Sequence, residues 1–460
     1  MSSSPSIRPN ELAPLIKSKL PLYVDDPQNK DDNKFSSERG FVISTCAASV
    51  GLGNVVRFPY IVYRLGGATY IFAQIVTLFC IAFPFMFLET SAGRLAQGSV
   101  VKTYRYAHKK LGPIQGWFVV LLTFAITSYL LVITGWTAAY SFDAISGNLQ
   151  IFDDFSEGFR SLYWFAFVTV LCGIILVKGV KALEKLCTVL IPVLMVLLVV
   201  LVCVASLTTG EGWTKTQDFV FNVDWKKLKS LELWFFAFGQ AFYTLAVGQG
   251  YLETYGSLLP DKINIPRASI IVGVTQLSVS LSSIFVIFPF VFNSAETPAA
   301  GLELAFNVLP KVFPTLKGGY ILSNFFFLLF FLAAFSSSLA GMKVVINSAQ
   351  EEFKMSNKTA VLLTTILCLA LGTPSALSST KIKLAVNGES FIDLMDRFTG
   401  TTAVISSAVI GSLLICLFVD RSKIKKALGA KSEFWSYLVY FVSFVTPFFV
   451  LGYYVAHYFF

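Results

Sequence analysis

The chain alternates long apolar runs with short polar ones. Runs that fit the hydrocarbon core of a bilayer fall at approximately 41–62, 69–92, 113–147, 159–177, 186–207, 232–257, 267–293, 319–349, 358–373, 391–420 and 433–459. The pattern predicts an all-α polytopic membrane protein with about eleven transmembrane helices. Two of the runs are interrupted near their middles. The first contains Val50-Gly51-Leu52-Gly53-Asn54-Val55-Val56-Arg57-Phe58-Pro59, in which two helix-weakening glycines precede an Asn and an Arg, both costly in hydrocarbon. The sixth is broken at Gly248-Gln249-Gly250. Backbone at membrane depth must be hydrogen-bonded unless it lines a cavity or is buried in protein. Paired breaks in corresponding segments therefore point to a binding site between two inverted repeats. On this reading the first repeat covers about 41–207 and the second about 232–420, with an extra helix at about 433–459.

Composition fixes the class. With 55% hydrophobic and only 14% charged residues over 460, the chain is far more apolar than a soluble domain requires. The net charge of +9 needs no nucleic acid to explain it, because lysines and arginines collect in cytoplasmic loops of membrane proteins. The short segments 102–110, 178–185, 261–267, 354–358 and 421–431 are mainly basic, whereas the alternate loops are longer and more mixed. This asymmetry predicts a cytoplasmic N-terminus, and the membrane is expected to be the plasma (inner) membrane. Residues 1–40 are polar, lack the apolar core of a signal peptide, and read as a disordered cytoplasmic tail whose last residues anchor or gate the bundle.

Enzyme chemistry finds no support. Two histidines, and seven cysteines in or beside apolar runs, give neither a histidine metal site nor a disulfide framework. There is no nucleophile triad, Walker loop or H-E-x-x-H, and Gly51-Leu52-Gly53 lacks the βαβ setting of a nucleotide fingerprint. The first break offers different chemistry. A half-helix starting after Gly53 presents free N–H groups and a positive dipole end that suit a carboxylate. The half-helix ending near Val50 leaves carbonyls that suit a small cation or an ammonium group. The pair matches a zwitterion, or an organic anion coupled to a cation.

Several stretches then resemble the neurotransmitter:sodium symporter family, in order and over nearly the whole chain from about residue 39. They are V-G-L-G-N-V-V-R-F-P-Y with L-G-G-A, F-L-E-T-S-A-G-R in the second run, and G-W-T-A-A-Y in the third. G-Q-A-F-Y-T-L-A-V-G-Q-G-Y-L-E-T-Y-G-S follows in the sixth, F-V-I-F-P in the seventh, A-A-F-S-S-S-L-A in the eighth and F-I-D-L-M-D in the tenth. About eleven spans and V-F-N-S-A-E-T-P-A-A-G resemble the prokaryotic branch, which includes the bacterial leucine transporter.

The resemblance implies a sodium-coupled symporter of amino acids or related small amines, working by alternating access; a non-transporting sensor that keeps the fold is the alternative. It implies that the substrate carboxylate meets the N–H groups of Leu52 and Gly53, and its amino group the carbonyls of Ser49, Tyr243 and Thr244. Ile126, Leu130, Ala246, Val247, Gln249, Ser337 and Gly341 would line the rest of the pocket, with Ala246 and Gly341 leaving room for a sizeable side chain. One sodium would take the Ser49 carbonyl, Asn54, Thr244 and Gln276. A second would take the carbonyls of Ala47, Val50 and Ala333 with the hydroxyls of Ser336 and Ser337. These are the hard oxygen ligands such an ion needs.

The family's gates fall on Arg57 with Asp396 outside and on Glu351 inside. Asp393 is an alternative partner for Arg57, and Arg397 for Asp396; Arg39 or Lys34 would face Glu351. Glu89 is expected to hydrogen-bond the sixth span rather than substrate. Two departures stand out. Leu130 replaces a tyrosine that holds the carboxylate in many relatives, with Tyr129 one residue earlier. The positions that carry a carboxylate in chloride-independent relatives are neutral here, so chloride at Gln240, Thr244 and Ser280, or no compensating charge, would accompany sodium. Against chloride, Gln74 replaces the tyrosine that contacts the anion.

Overall fold

A computed structural model describes residues 34–260, 263–293, 301–316, 318–430 and 432–459. Most of the expected tail (1–33) and residues 294–300 of the outer-loop motif lie outside them. The described chain is almost entirely helical. In order, the helices are α1 (Glu38–Ser49), α2 (Phe58–Leu65), α3 (Ala68–Ala96), α4 (Val100–Ala107), α5 (Leu111–Ser146), α6 (Arg160–Val177), α7 (Val180–Thr208) and α8 (Glu211–Phe221). They continue as α9 (Leu231–Thr244), α10 (Tyr251–Ser257), α11 (Ile265–Asn293), α12 (Gly319–Glu352), α13 (Asn357–Ser378), α14 (Phe391–Phe418), α15 (Arg421–Leu428) and α16 (Phe434–Phe459). Eight of them are long and apolar enough to cross a membrane, and α1 with the helix Gly53–Leu65 makes a ninth, bent by 59°. The chain is an integral multi-pass membrane protein.

Local signals set the ends. Ser37 caps α1 by accepting the Gly40 N–H at 3.1 Å, so the helix starts three residues before the first apolar run read from the sequence. Ser99, Ser230, Ser356 and Ser390 cap α4, α9, α13 and α14 in the same way. A two-stranded hairpin, β1 (Ala385–Val386) and β2 (Glu389–Ser390), precedes α14 and turns through Asn387 and Gly388 at positive φ.

The long helices α5 and α12 pack along each other through the centre, and both are mostly buried. Glycines let key neighbours approach. A Cβ on Gly93 of α3 would lie 2.1 Å from the Glu253 carbonyl, and one on Gly256 of α10 would lie 2.3 Å from the Thr90 carbonyl. Helices α3 and α10 thus touch backbone to backbone, the packing small residues allow in membranes.

The first run breaks where its glycines are. α1 ends at Ser49, Val50 is extended, and a π turn at Gly53–Arg57 leads into α2. Wide turns of this kind concentrate at functional sites. The sixth run also breaks: α9 ends at Thr244 and α10 starts at Tyr251, with Ala246, Gly248 and Gly250 between them at positive φ. Ala246 at φ 54° is a non-glycine in the left-handed region, a conformation held only when its surroundings demand it.

Candidate functional site

The two breaks meet. Gly53 lies against Tyr243: a Cβ there would come within 2.2 Å of the Tyr243 ring. Gln240 donates Nε2 to the Gly53 carbonyl at 3.2 Å and to Thr244 Oγ1 at 3.4 Å. At the α1 end the last carbonyls fall beyond the helical ladder. The N–H groups of Leu52 and Gly53 precede the first bonds of the next segment, which run from Asn54 and Val55 to the Gly51 carbonyl at 3.1 and 3.4 Å. An N–H face and a carbonyl face therefore sit within a few residues of each other.

Around Asn54 the polar groups form a network. Its Nδ2 donates to Gln276 Oε1 at 2.7 Å, while Gln276 Nε2 donates to Ser49 Oγ at 2.8 Å and the Cys46 carbonyl at 3.1 Å. Ser283 Oγ donates to the Asn54 carbonyl at 2.8 Å. Asn54 Oδ1 is left buried without a protein partner, as are Gln240 Oε1 and Ser280 Oγ. A buried orphan oxygen is costly unless something satisfies it. Asn54 Oδ1, with the Thr244 hydroxyl and the Ser49 and Thr244 carbonyls, is a donor set that fits a hard cation. It could hold sodium.

In the second expected cluster, α12 meets the first break at Ser337. Ser337 Oγ donates to the Val50 carbonyl at 3.0 Å, and Ser336 Oγ to the Ala333 carbonyl at 3.1 Å. A Cβ on Gly51 would lie 2.8 Å from Ser337 Oγ, so the glycine admits α12 to the break. All of these groups are oxygens in a buried setting, again suited to a hard cation.

Of the expected pocket residues, Ile126, Leu130, Ala246, Val247, Gln249 and Ser337 are all buried. Gly341 corrects the sequence reading. A Cβ there would meet Thr127 Oγ1 at 2.2 Å and the Tyr251 hydroxyl at 3.0 Å, so the missing side chain serves close helix packing and leaves no free space. The Tyr243 carbonyl accepts the Ala246 N–H at 3.2 Å, and only its second lone pair faces other partners. As expected, Glu89 accepts the Gly248 N–H at 2.9 and 3.1 Å and so ties α3 to the unwound sixth segment. At the expected chloride positions, the Gln240 amide donates to protein oxygens, which leaves the hydroxyls of Ser280 and Thr244 to meet an anion.

The gates differ in detail from the sequence reading. Arg57 lies over the Tyr243 ring, its guanidinium carbon 4.9 Å from the centroid. Asp396 instead accepts the Tyr129 hydroxyl at 2.9 Å. Among the described residues no Arg57–Asp396 ion pair forms, and Asp393 and Arg397 are engaged by Ser390 and Glu389.

At the opposite end Glu351 pairs with Lys102 Nζ at 2.9 Å and accepts the Ser99 N–H. Among the described residues neither Arg39 nor Lys34 pairs with it. Lys102 belongs to α4, in a loop whose basic residues the sequence reading used only to orient the chain. Phe35 is buried against Phe41 and Tyr255, and Ser36 donates both its N–H and hydroxyl to Glu184, at 2.9 and 2.8 Å. The segment before α1 is thus tied to α7 and α10.

A helical membrane bundle broken twice around one buried polar centre is the architecture of an ion-coupled transporter. The profile of the sodium:neurotransmitter symporter family matches residues 32–154 and 159–459, and the chain belongs to that family. It is 29% identical to a sodium-dependent transporter of Haemophilus influenzae, over 94% of this chain and 99% of that one. It is 24% identical to the human sodium- and chloride-dependent neutral and basic amino acid transporter B(0+), over 84% of this chain and 72% of the relative. The crystal structure of MhsT in complex with L-phenylalanine superposes with a TM-score of 0.82 at 28% identity, covering 91% of this chain and 99% of MhsT. These neighbours are transporters, not enzymes.

Proposed function

We propose that the protein is a sodium-coupled symporter of amino acids, working by alternating access in the plasma (inner) membrane with its N-terminus in the cytoplasm. The observation that carries this reading is the meeting of the two breaks at Gly53 and Tyr243, beside the orphan Asn54 Oδ1. The substrate carboxylate faces the N–H groups of Leu52 and Gly53, and the ammonium group faces the carbonyls of Ser49, Tyr243 and Thr244. One sodium binds at Ser49, Asn54 and Thr244, with Gln276 holding Asn54 in place. The second binds at Ala47, Val50, Ala333, Ser336 and Ser337. An amino-acid substrate is supported by the human relative's name and by the L-phenylalanine bound to MhsT.

Arg57, Tyr243, Tyr129 and Asp396 gate one side, and Glu351 with Lys102 the other. Chloride beside Gln240 is held by the hydroxyls of Thr244 and Ser280. The test is a thermal-shift screen of the proteinogenic amino acids and biogenic amines in sodium and in potassium, with and without chloride. Stabilisation by an amino acid in sodium alone supports the reading, and its loss without chloride supports the anion site. A folded protein that no ligand shifts in any ion contradicts it.

A further inference from the structure

Two carboxyl groups, Glu89 on α3 and Glu253 on α10, are fully buried on helices that touch backbone to backbone. Glu89 accepts the Gly248 N–H. Glu253 Oε1 accepts the Tyr104 hydroxyl at 2.8 Å, and Glu253 Oε2 is buried with no partner.

No described cation compensates them. On α3, Arg94 donates to the carbonyls of Pro260, Ile263 and Ala427. On α4, Lys102 and Arg105 pair with Glu351 and Glu352. Arg267 of α11 reaches Glu38 of α1 at 4.0 Å; on α15, Lys423 and Lys425 pair with Asp420 and Glu433, Arg421 lies over Tyr437 and Lys426 is exposed. Lys343 is buried on α12 but forms no ion pair with either glutamate, and Arg39 of α1 is exposed. The remaining titratable groups on α1, α4 and α10 are Cys46, Tyr104, Tyr106, Tyr251 and Tyr255, all neutral acids at ordinary pH. Two carboxylates buried on touching helices without a counter-charge cannot both stay ionised in such a setting.

We propose that Glu89 and Glu253 form a proton-binding site that holds one proton, carried on Glu253. Glu89 remains the anion that the Gly248 N–H stabilises, and Glu253 is the neutral acid that the Tyr104 hydroxyl orients. Resting on the alternating-access reading, the release step follows. When α10 swings away and water enters, Glu253 gives its proton to water and becomes a carboxylate. It must regain a proton from water before α10 can pack again on α3. Closure of this side is therefore slowed as the pH on that side rises.

The proton itself is tested by infrared spectroscopy of the purified full chain in detergent, in water and in deuterium oxide at neutral pH. The native chain should show a protonated carboxylic acid band that moves on deuteration. Glu253→Gln should lose that component, and Tyr104→Phe, which removes only the donor, should shift it. A native chain without the band, or a band unchanged in both variants, overturns the proposal. If Glu253→Gln does not fold, Tyr104→Phe alone decides: a shifted band supports the site and an unmoved one overturns it. This readout needs neither substrate nor transport, so its failure is distinct from failure of the amino-acid reading. The release step is tested in proteoliposomes, where uptake should slow several-fold as internal pH is raised. Glu253→Gln should abolish that dependence; a variant that keeps the native pH profile overturns the release step.

Discussion

Asn54 donates its side-chain N–H to Gln276 Oε1 at 2.7 Å, and this bond decides which end of the Asn54 amide is free. Gln276 is itself fixed by donating to Ser49 Oγ and the Cys46 carbonyl, so the geometry at the first break is set from α11. The Asn54 oxygen is left as an orphan acceptor beside the Ser49 region. Removing that oxygen in Asn54→Ala should weaken sodium affinity by about tenfold or more, the size expected for losing a hydrogen-bonded buried polar group. Gln276→Ala keeps the oxygen but frees its orientation, so a smaller loss, of roughly threefold to tenfold, is expected. Sodium titration of ligand binding measures both.

Ser337 is asked to do two things, reach the Val50 carbonyl and supply an oxygen to the second cation site. Ser337→Ala removes both, whereas Ser338→Ala removes only a hydroxyl bonded to Thr134 Oγ1 at 2.8 Å. Ser337→Ala should raise the half-saturating sodium concentration by about tenfold, while Ser338→Ala costs about 1 kcal/mol of stability with little change in sodium response. Equal sodium responses in the two variants would remove Ser337 from the site.

The Glu351–Lys102 pair is partly solvent-exposed, its side chains 29% and 45% accessible, so screening limits its strength. Lys102→Ala should cost about 0.2–1 kcal/mol of closure, a shift of roughly 1.4-fold to fivefold toward the open form of that side. A cysteine placed below the gate would report this as faster labelling by a membrane-impermeant reagent from that side. Arg39→Ala, at an exposed position, should leave the labelling rate unchanged.

Gly93 and Gly256 test the α3–α10 contact. In a free helix Gly→Ala is stabilising by about 1 kcal/mol. Here the added methyl would meet backbone at 2.1 Å and 2.3 Å, so the sign should reverse. Gly93→Ala and Gly256→Ala should each cost the stability typical of overpacking, about 1–3 kcal/mol, read as a lower melting temperature. Gly210→Ala is a control, since nothing lies within 4 Å and only its φ of +47° opposes the change.

Much of this was legible in the residues. Gly51, Gly53, Asn54 and Arg57 inside one apolar run already meant a break at membrane depth, because hydrocarbon forbids unpaired backbone. Glu89, a lone acid in the second apolar run, was correctly sent to the sixth segment. What the sequence withheld was tertiary. Glycine reads equally as a cavity or as a close approach, and only the Thr127 and Tyr251 oxygens beside Gly341 show which it is. Lys102 looked like any loop lysine, since nothing local tells it that Glu351 lies across the bundle. The sequence pairs Asp396 with Arg57, but Asp396 meets Tyr129 and Arg57 lies over the Tyr243 ring.

The central claim is that the paired breaks couple an amino acid to sodium. The most direct test is binding of radiolabelled amino acids, L-phenylalanine first, to the purified chain in sodium and in potassium, followed by uptake into proteoliposomes under an inward sodium gradient. The account predicts saturable binding that needs sodium and weakens in Asn54→Ala and Ser337→Ala, with accumulation that collapses when the gradient is removed. Binding that is equal in sodium and potassium, or that persists unchanged in both variants, would contradict it.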